Sequence, residues 1–393
     1  MIKKFSADYI LPVNQKPIRN GVVSVSETGE IVGLYENVDS TDINKEEIEH
    51  YEGIIVPGFV NSHCHLELSH LHQQVAEGEG LLSFISSMIS ARKTGNDTIA
   101  AAIEKADEMM FENGIVAVGD ICNTALSKET KEKSPIYYHN YIEILGFNPE
   151  KAQEIFDAGL TLQAAFGSLP TSIVPHAPYS VSKDLFRLLK HFCRGGDNIL
   201  TIHNQESDEE NKFYRYKTGA FIDFYEDQLK LDIEYFKPQA RDSVQSIIPL
   251  LPKKQKVMLV HNTYSSLKDI SFVNRLDREV TWCFCPNANL YIENTLPKLD
   301  LFVANDINIT IGTDSLASND TLCIVSELKT ISRHFPSISL DTSIAWATLN
   351  GAKYLGIDHK FGSIELGKIP GLNLITGVNG LNLTEASAVK KLI

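Results

Sequence analysis

The sequence predicts an α/β chain: a TIM (β/α)8 barrel with a small β-rich domain built from both chain termini. Three observations predict it. From residue 58 onward, short apolar runs alternate with amphipathic stretches. The number of such runs, eight, is the number that closes a barrel of parallel strands. Both ends of the chain read instead as β structure with Gly-containing turns. The expected division is residues 1–57 plus 361–393 for the small domain and 58–360 for the barrel.

The elements follow in order. Gly21-Val22-Val23-Ser24-Val25 and Ile31-Val32-Gly33-Leu34-Tyr35 are β-branched runs around Glu27-Thr28-Gly29-Glu30, the pattern of a hairpin. Residues 37–50 are polar and acidic and are expected to form a loop. Gly53 to Val60 is an apolar run broken by Pro57-Gly58. Its end is the first barrel strand. The others are Ile115–Val118, Tyr137–Ile142, Ser172–Val174, Ile199–Ile202, Val257–Val260, Val280–Phe284 and Ile307–Ile311.

Helical patterns lie between these runs. Asp97 is the expected cap of a helix through Ile99, Ile103, Ala106 and Met110, stopped by Gly114. Ser182 caps another through Leu185, Leu188, Leu189 and Phe192. Thr342 or Ser343 opens a third through Ile344, Ala347 and Leu355. Residues 207–240 break the rhythm with charges and aromatics, and a connection that long reads as a lid or an oligomer contact. The tail, Gly362 to Lys368 and then Leu372-Asn373-Leu374-Ile375, is again strand-like and is expected to rejoin the N-terminal β segment.

Composition narrows the function classes. Of 393 residues, 43% are hydrophobic and 22% charged, which suits a folded globular chain. Fifty acidic and 36 basic side chains leave a formal net charge of −14, an acidic surface that repels phosphate backbones and disfavours nucleic acid as a partner. The six cysteines are scattered without a C-x-x-C pair and read as reduced thiols. No window approaches the ~20 uninterrupted apolar residues of a membrane span. The N-terminus has no apolar run behind Lys3-Lys4, so the expected location is the cytoplasm with no membrane partner. Monomer and homodimer both stay open.

Chemistry-bearing residues burst from the ends of the apolar runs. In Asn61-Ser62-His63-Cys64-His65 the two imidazoles, at i and i+2 of a strand, point the same way and can reach one ion. The alternative is a pair of hydrogen-bonded polar histidines. Ile199-Leu200-Thr201-Ile202-His203-Asn204-Gln205-Glu206 has the same layout, with Glu206 as a surface charge the bland reading. So has Val257-Met258-Leu259-Val260-His261-Asn262. Ile309-Thr310-Ile311-Gly312-Thr313-Asp314 puts an acid just past a strand, where it could equally cap a helix. His176 follows Ile173-Val174-Pro175. Five of the twelve histidines fall at this one geometric address, the end of a barrel where active sites sit, and that decides for a site over five accidents.

At these residues the chain resembles the amidohydrolase superfamily, in its deaminase and chlorohydrolase branch. The matching motifs are Pro57-Gly58-Phe59-Val60-Asn61-Ser62-His63-Cys64-His65, Pro175-His176-Ala177-Pro178-Tyr179-Ser180, His203-Asn204-Gln205-Glu206-Ser207, His261-Asn262, Cys285-Pro286-Asn287-Ala288-Asn289-Leu290 and Gly312-Thr313-Asp314-Ser315-Leu316-Ala317-Ser318-Asn319. The resemblance implies one divalent metal ion on His63, His65, His203 and Asp314. Zinc is the first choice, with iron or manganese as alternatives. Relatives with two metals carry a carboxylated lysine on the fourth strand, and Ser172-Ile173-Val174-Pro175 has none. Ile369-Pro370-Gly371-Leu372-Asn373 departs from the family's Ala-Asp-Leu, in the small domain only.

The resemblance further implies Glu206 and His261 as proton carriers, joined by Asp314, and His176 and Asn289 as substrate contacts. The implied reaction is hydrolytic deamination of an amino-bearing N-heterocycle by metal-bound hydroxide. Leu66-Glu67-Leu68-Ser69 and Cys285 to Ile292 are similar to members that deaminate aminodeoxyfutalosine, with S-adenosylhomocysteine and guanine deaminases also in the branch. A 6-aminopurine nucleoside is therefore the expected substrate. Glu67 either accepts hydrogen bonds from the ribose diol or orients His63 or His65. The rivals are a chlorohydrolase or an imidazolonepropionase-type hydrolase, and a non-catalytic metal-binding scaffold.

Overall fold

The computed structural model describes residues 2–36, 47–91, 94–196 and 198–393. At the N-terminus, β1 (Lys3–Ile10) is followed by the short β2 (Ile18–Arg19), which pairs with it. β3 (Val22–Val25) and β4 (Ile31–Tyr35) form the expected hairpin, with Val22 opposite Tyr35. Its turn needs Gly29, whose φ is +83°. β5 (Ile48–Pro57) lies parallel to β1, with Ile10 beside Ile55. It begins at Ile48, inside the stretch expected to be loop, because its first residues hydrogen-bond along β1 despite their polarity. Residues 37–46 of that expected loop lie outside the described residues.

Eight parallel strands come next: β6 (Phe59–Cys64), β7 (Ile115–Cys122), β8 (Tyr137–Ile144), β9 (Thr171–Pro175), β10 (Leu200–Asn204), β11 (Val257–His261), β12 (Val280–Phe284) and β13 (Ile309–Ile311). Each contains or overlaps an expected run. They are ordered as two four-stranded parallel sheets, β6-β7-β8-β9 and β10-β11-β12-β13. Every residue of β7, β10 and β11 is buried, as parallel strands covered on both faces require. The sheets touch at both seams. His203 N donates to the His176 carbonyl at 2.9 Å, and Cys64 and Asp314 form a parallel bridge.

The chain then returns. β14 (Leu372–Thr376) runs antiparallel to β5, with Leu372 opposite Pro57, and β15 (Ala388–Lys391) pairs with β14. One seven-stranded sheet, β15-β14-β5-β1-β3-β4 with β2 on β1, is thus drawn from both chain ends. Residues 362–368 are a turn rather than the expected strand. Lys368 Nζ closes it on Glu365 at 2.8 Å and Ser363 at 2.7 Å, and only Gly367 N and the Lys368 carbonyl hydrogen-bond to Ile31.

Helix starts depart from expectation where a neighbour caps better. The helix Asn96–Glu112 is capped by Gly95 in an extended conformation, which leaves Asp97 in the first turn beside the positive end of the helix dipole. Ser182 does cap Lys183–Phe192, its Oγ accepting from Leu185 N at 3.2 Å. Ser339, not Thr342 or Ser343, caps Leu340–Trp346 by accepting from Thr342 N at 3.2 Å, and a separate helix, Leu349–Leu355, follows.

The segment 207–240 turns most of its aromatics inward. Phe213 stacks on Phe236 at 4.5 Å, and Phe147 on Tyr225 at 4.9 Å. Tyr214 donates to the Pro178 carbonyl at 2.6 Å, so the segment braces the loop that follows His176. Among the described residues no helix is long and apolar enough to cross a membrane.

One buried ion pair lies under the end of β6. Lys131 and Asp120 have fully buried side chains, with Nζ 2.5 Å from Asp120 Oδ2 and 2.7 Å from Asn140 Oδ1. Asp120 Oδ1 accepts from Leu66 N at 2.7 Å, the amide just past His65. Lys131→Met should therefore cost about 3–5 kcal/mol by leaving Asp120 uncompensated. Urea unfolding measures it, and an unchanged midpoint would show that Asp120 does not depend on the lysine.

Candidate metal centre and active site

The site forms where strands end. β6 alternation turns His63 and, just beyond the strand, His65 to one side. Their Nε2 atoms are 3.2 Å apart, and His65 Nε2 is 3.2 Å from His203 Nε2 at the end of β10. Asp314 Oδ1 reaches within 3.5 Å of His63 Nε2 and 3.4 Å of His65 Nε2. The approach of β13 to β6 depends on Gly312, where a Cβ would stand 2.8 Å from both the Cβ and the carbonyl oxygen of His63. All four side chains are buried.

Two of the ligand candidates are aimed from behind. His203 Nδ1 donates to the His176 carbonyl at 2.8 Å, which leaves Nε2 as its lone-pair face. Ser318 Oγ donates to Asp314 Oδ2 at 2.6 Å and leaves Oδ1 facing the histidines. Asp314 has φ +59°, His261 +72°, Asn262 +57° and Gln205 +45°, so left-handed backbone recurs at the ends of three site strands. Asn204 holds one of these bends, its Nδ2 donating to Asn262 Oδ1 at 2.9 Å and its carbonyl accepting from Asn262 N at 2.9 Å.

The donor set fits a divalent cation. Neutral imidazole nitrogens facing one another at 3.2 Å repel unless a proton or a cation lies between them. Burial lowers the His65 imidazole to about 3 and pushes His203 and His261 well below the ordinary histidine range. Burial alone would raise the Asp314 carboxyl, but His63, His65 and His261 hold it below the usual carboxylate range. Imidazole nitrogens and a carboxylate oxygen are what zinc-type ions accept.

The expected proton carriers stand beside this cluster. Glu206 is 4% exposed, and its Oε1 is 3.6 Å from His261 Nε2. Burial pushes its carboxyl well above the ordinary range, with Asp314, Glu210 and Glu293 adding to the effect. The helix Asp208–Tyr216 starts immediately behind it, capped by Ser207. His176 lies next to His203, ring centroids 4.8 Å apart, with Nδ1 on Ser180 Oγ at 2.6 Å. Burial, aided by His63, lowers its imidazole to about 4.

Two expected substrate contacts are engaged elsewhere. Asn289 Nδ2 donates to Thr263 Oγ1 at 2.8 Å and meets His261 Nδ1 at 3.3 Å, so this amide orients His261 and leaves its proton on Nε2, facing Glu206. Glu67 touches neither His63 nor His65 through a hydrogen bond. Its Oε1 accepts from Asn123 N at 2.7 Å, and its Oε2 from Thr124 N at 3.1 Å and Thr124 Oγ1 at 2.8 Å. The physical reason is the short 3-10 helix Leu66–Leu71, which carries Glu67 over the end of β7. Burial nevertheless raises its carboxyl to about 7.

Glu143 was not anticipated. It occupies the C-terminal end of β8, the same address as the histidines, and with His176 and His203 it forms a further cluster of ligand-type atoms within 4.8 Å, beside the groups of His63, His65 and His203 and of His63, His261 and Asp314. The available signal was an acid inside the apolar run Tyr141-Ile142-Glu143-Ile144.

Comparison with known proteins shows the family of the chain and its fold. The sequence profile of the amidohydrolase family matches residues 54–391. An adenosine deaminase of Helicobacter pylori is 25% identical over 322 residues, covering 80% of this chain and 77% of that protein. An aminodeoxyfutalosine deaminase of Nitratiruptor sp. is 24% identical over 385 residues, covering 94% and 91%. The crystal structure of Helicobacter pylori aminofutalosine deaminase in complex with methylthio-coformycin superposes with a TM-score of 0.81 at 20% identity, covering 97% of this chain and 93% of that one.

Proposed function

We propose that this chain, which belongs to the amidohydrolase family, is a metal-dependent aminohydrolase that deaminates a 6-aminopurine nucleoside. The observation that carries the reading is the convergence of His63, His65, His203 and Asp314 with Glu206 and His261 beside them. Relatives named as adenosine and aminodeoxyfutalosine deaminases support the substrate class. In this reading the eight parallel strands act as a (β/α)8 barrel over residues 58–360. The two-ended sheet of residues 1–57 and 361–393 forms a separate small domain.

His63, His65, His203 and Asp314 would hold one divalent cation, zinc by the chemistry of the donor set. When bound, such a cation supplies Lewis acidity that makes water nucleophilic near neutral pH. Burial favours the acid form of Glu206, which gives its proton to the ring nitrogen beside the amino-bearing carbon. That protonation makes a weak electrophile attackable. His261 hydrogen-bonds the incoming oxygen through Nε2–H. Asp314 takes one proton of the water and passes it to the amino group, which leaves as ammonia. The second proton of the water, shed as the ring carbon becomes a carbonyl, returns to Glu206. The half-buried His176 offers its Nε2 to the purine.

The test is ammonia release by metal-loaded protein from adenosine, 5'-deoxyadenosine, adenine and guanine-like compounds. Deamination of the 6-aminopurine nucleosides is expected. Release from none of them would reject the reading, and turnover confined to chlorinated or cyclic amide substrates would move the chain to a different hydrolase type.

A further inference from the structure

We propose that Glu143 recognises the sugar hydroxyls of the substrate, a role that rests on the nucleoside-deaminase reading above. Its side chain is 3% exposed. Oε2 accepts from Asn123 Nδ2 at 2.9 Å, whereas Oε1 has no hydrogen-bond partner. The nearest cationic candidate, His203 Nδ1, is 3.7 Å away and already gives its proton to the His176 carbonyl. A buried acceptor oxygen left without a donor is costly, so a donor arriving from a ligand recovers that cost.

The carboxylate cannot easily turn away. Asn123, which holds Oε2, has its own backbone N–H fixed by Glu67, and Thr124 is tied to Glu67 through both backbone and hydroxyl. The chain of contacts Glu67–Asn123–Glu143 therefore runs from just past the first histidine pair to the unpaired oxygen. Glu67 acts on the substrate through this chain rather than by touching it, which makes it a positioning residue.

The chemistry of the substrate identifies what Oε1 would accept. A 6-aminopurine substituted at N9 presents ring nitrogens that only accept hydrogen bonds. Its one ring-borne donor, the amino group, is at the reacting carbon. The donors left for the unpaired acceptor Oε1 are the sugar hydroxyls. Glu143 thus separates nucleosides bearing hydroxyls from those lacking them, in the way that a site built to bind a hydroxyl rejects the analogue without it.

The experiment compares adenosine with 2',3'-dideoxyadenosine, using metal-loaded wild type, Glu143→Gln, Glu143→Ala and Glu67→Gln. Wild type should prefer adenosine in kcat/KM by roughly 10- to 100-fold, the range of a hydrogen bond to a charged group. Both Glu143 variants should lose most of that preference, chiefly through KM for adenosine, with a smaller loss on dideoxyadenosine and metal content kept. Glu67→Gln should lose part of it. Equal loss on both substrates, a preserved preference, or loss of metal in the Glu143→Gln variant, which would assign the carboxylate to His203, overturns the proposal. Should the alanine variant fail to fold, the glutamine variant, close in shape, still decides. Wild type that deaminates neither nucleoside defeats the nucleoside reading itself and this proposal with it. Wild type that deaminates both equally defeats only the role of Glu143.

Discussion

His63→Ala and Asp314→Ala should each lose bound divalent metal and deaminase activity together. Each removes one of four convergent donor atoms, and those that remain are held at the ends of at least two different strands, which cannot close the gap. His63 sits on β6, whose partner strand and bridge to Asp314 fix its position, and Ser318 and the His63 carbonyl fix Asp314 in turn. Partners that only orient a metal ligand typically cost 10–100-fold in affinity or activity when removed. Loss of a ligand itself should exceed ~100-fold on both counts. Elemental analysis of purified protein reads the metal, ammonia release reads the activity, and circular dichroism checks the fold. Full metal content in both variants would reject the assignment. Asp314→Asn separates charge from shape, since it keeps an oxygen near the same place but no longer balances the cation. Intermediate metal content in that variant is the expected result.

The strands and the histidine cluster were legible for the same reason. A parallel strand buried on both faces must be a continuous apolar run, and a polar residue is tolerated only where it emerges. His65, His203, His261 and Asp314 are conspicuous because each stands at such an exit. Glu143 stands at one too, but a single acid followed by Ile144 looks like ordinary alternation, so only its neighbours across space reveal it. The partners of Glu67 are 56 and 57 residues away in sequence, at Asn123 and Thr124, and no local pattern announces them. Asn289 lies in a recognisable motif, yet its contact with His261 depends on how the helix Pro286–Glu293 sits against β11. Helix caps were misplaced at Asp97 and at Thr342 or Ser343, where Gly95 and Ser339 compete within four residues and tertiary context decides. The return of the C-terminal strand to β5 was readable as a strand, while its partner was an inference that the register Leu372 to Pro57 bears out.

Glu206→Gln should retain metal and lose about 10²–10⁴-fold in kcat, the usual range for a removed general acid or base. The glutamine matches the carboxyl in shape and can still hydrogen-bond, so the loss isolates the transferable proton. Glu206 is three residues past His203 but is not grouped with the ligand atoms, which is why metal should stay. The pH dependence supplies the sign. Burial, reinforced by Asp314, Glu210 and Glu293, raises the Glu206 carboxyl well above its ordinary value, which favours the acid form. A group that must be protonated to act supports turnover below its raised pKa and fails as pH climbs through it. Wild-type kcat should therefore fall on the alkaline side, and the small residual rate of Glu206→Gln should lack that fall. Near-normal turnover in the variant would remove Glu206 from the mechanism. A full loss that keeps the same alkaline limb would place the titrating group elsewhere and leave Glu206 as a binding residue only.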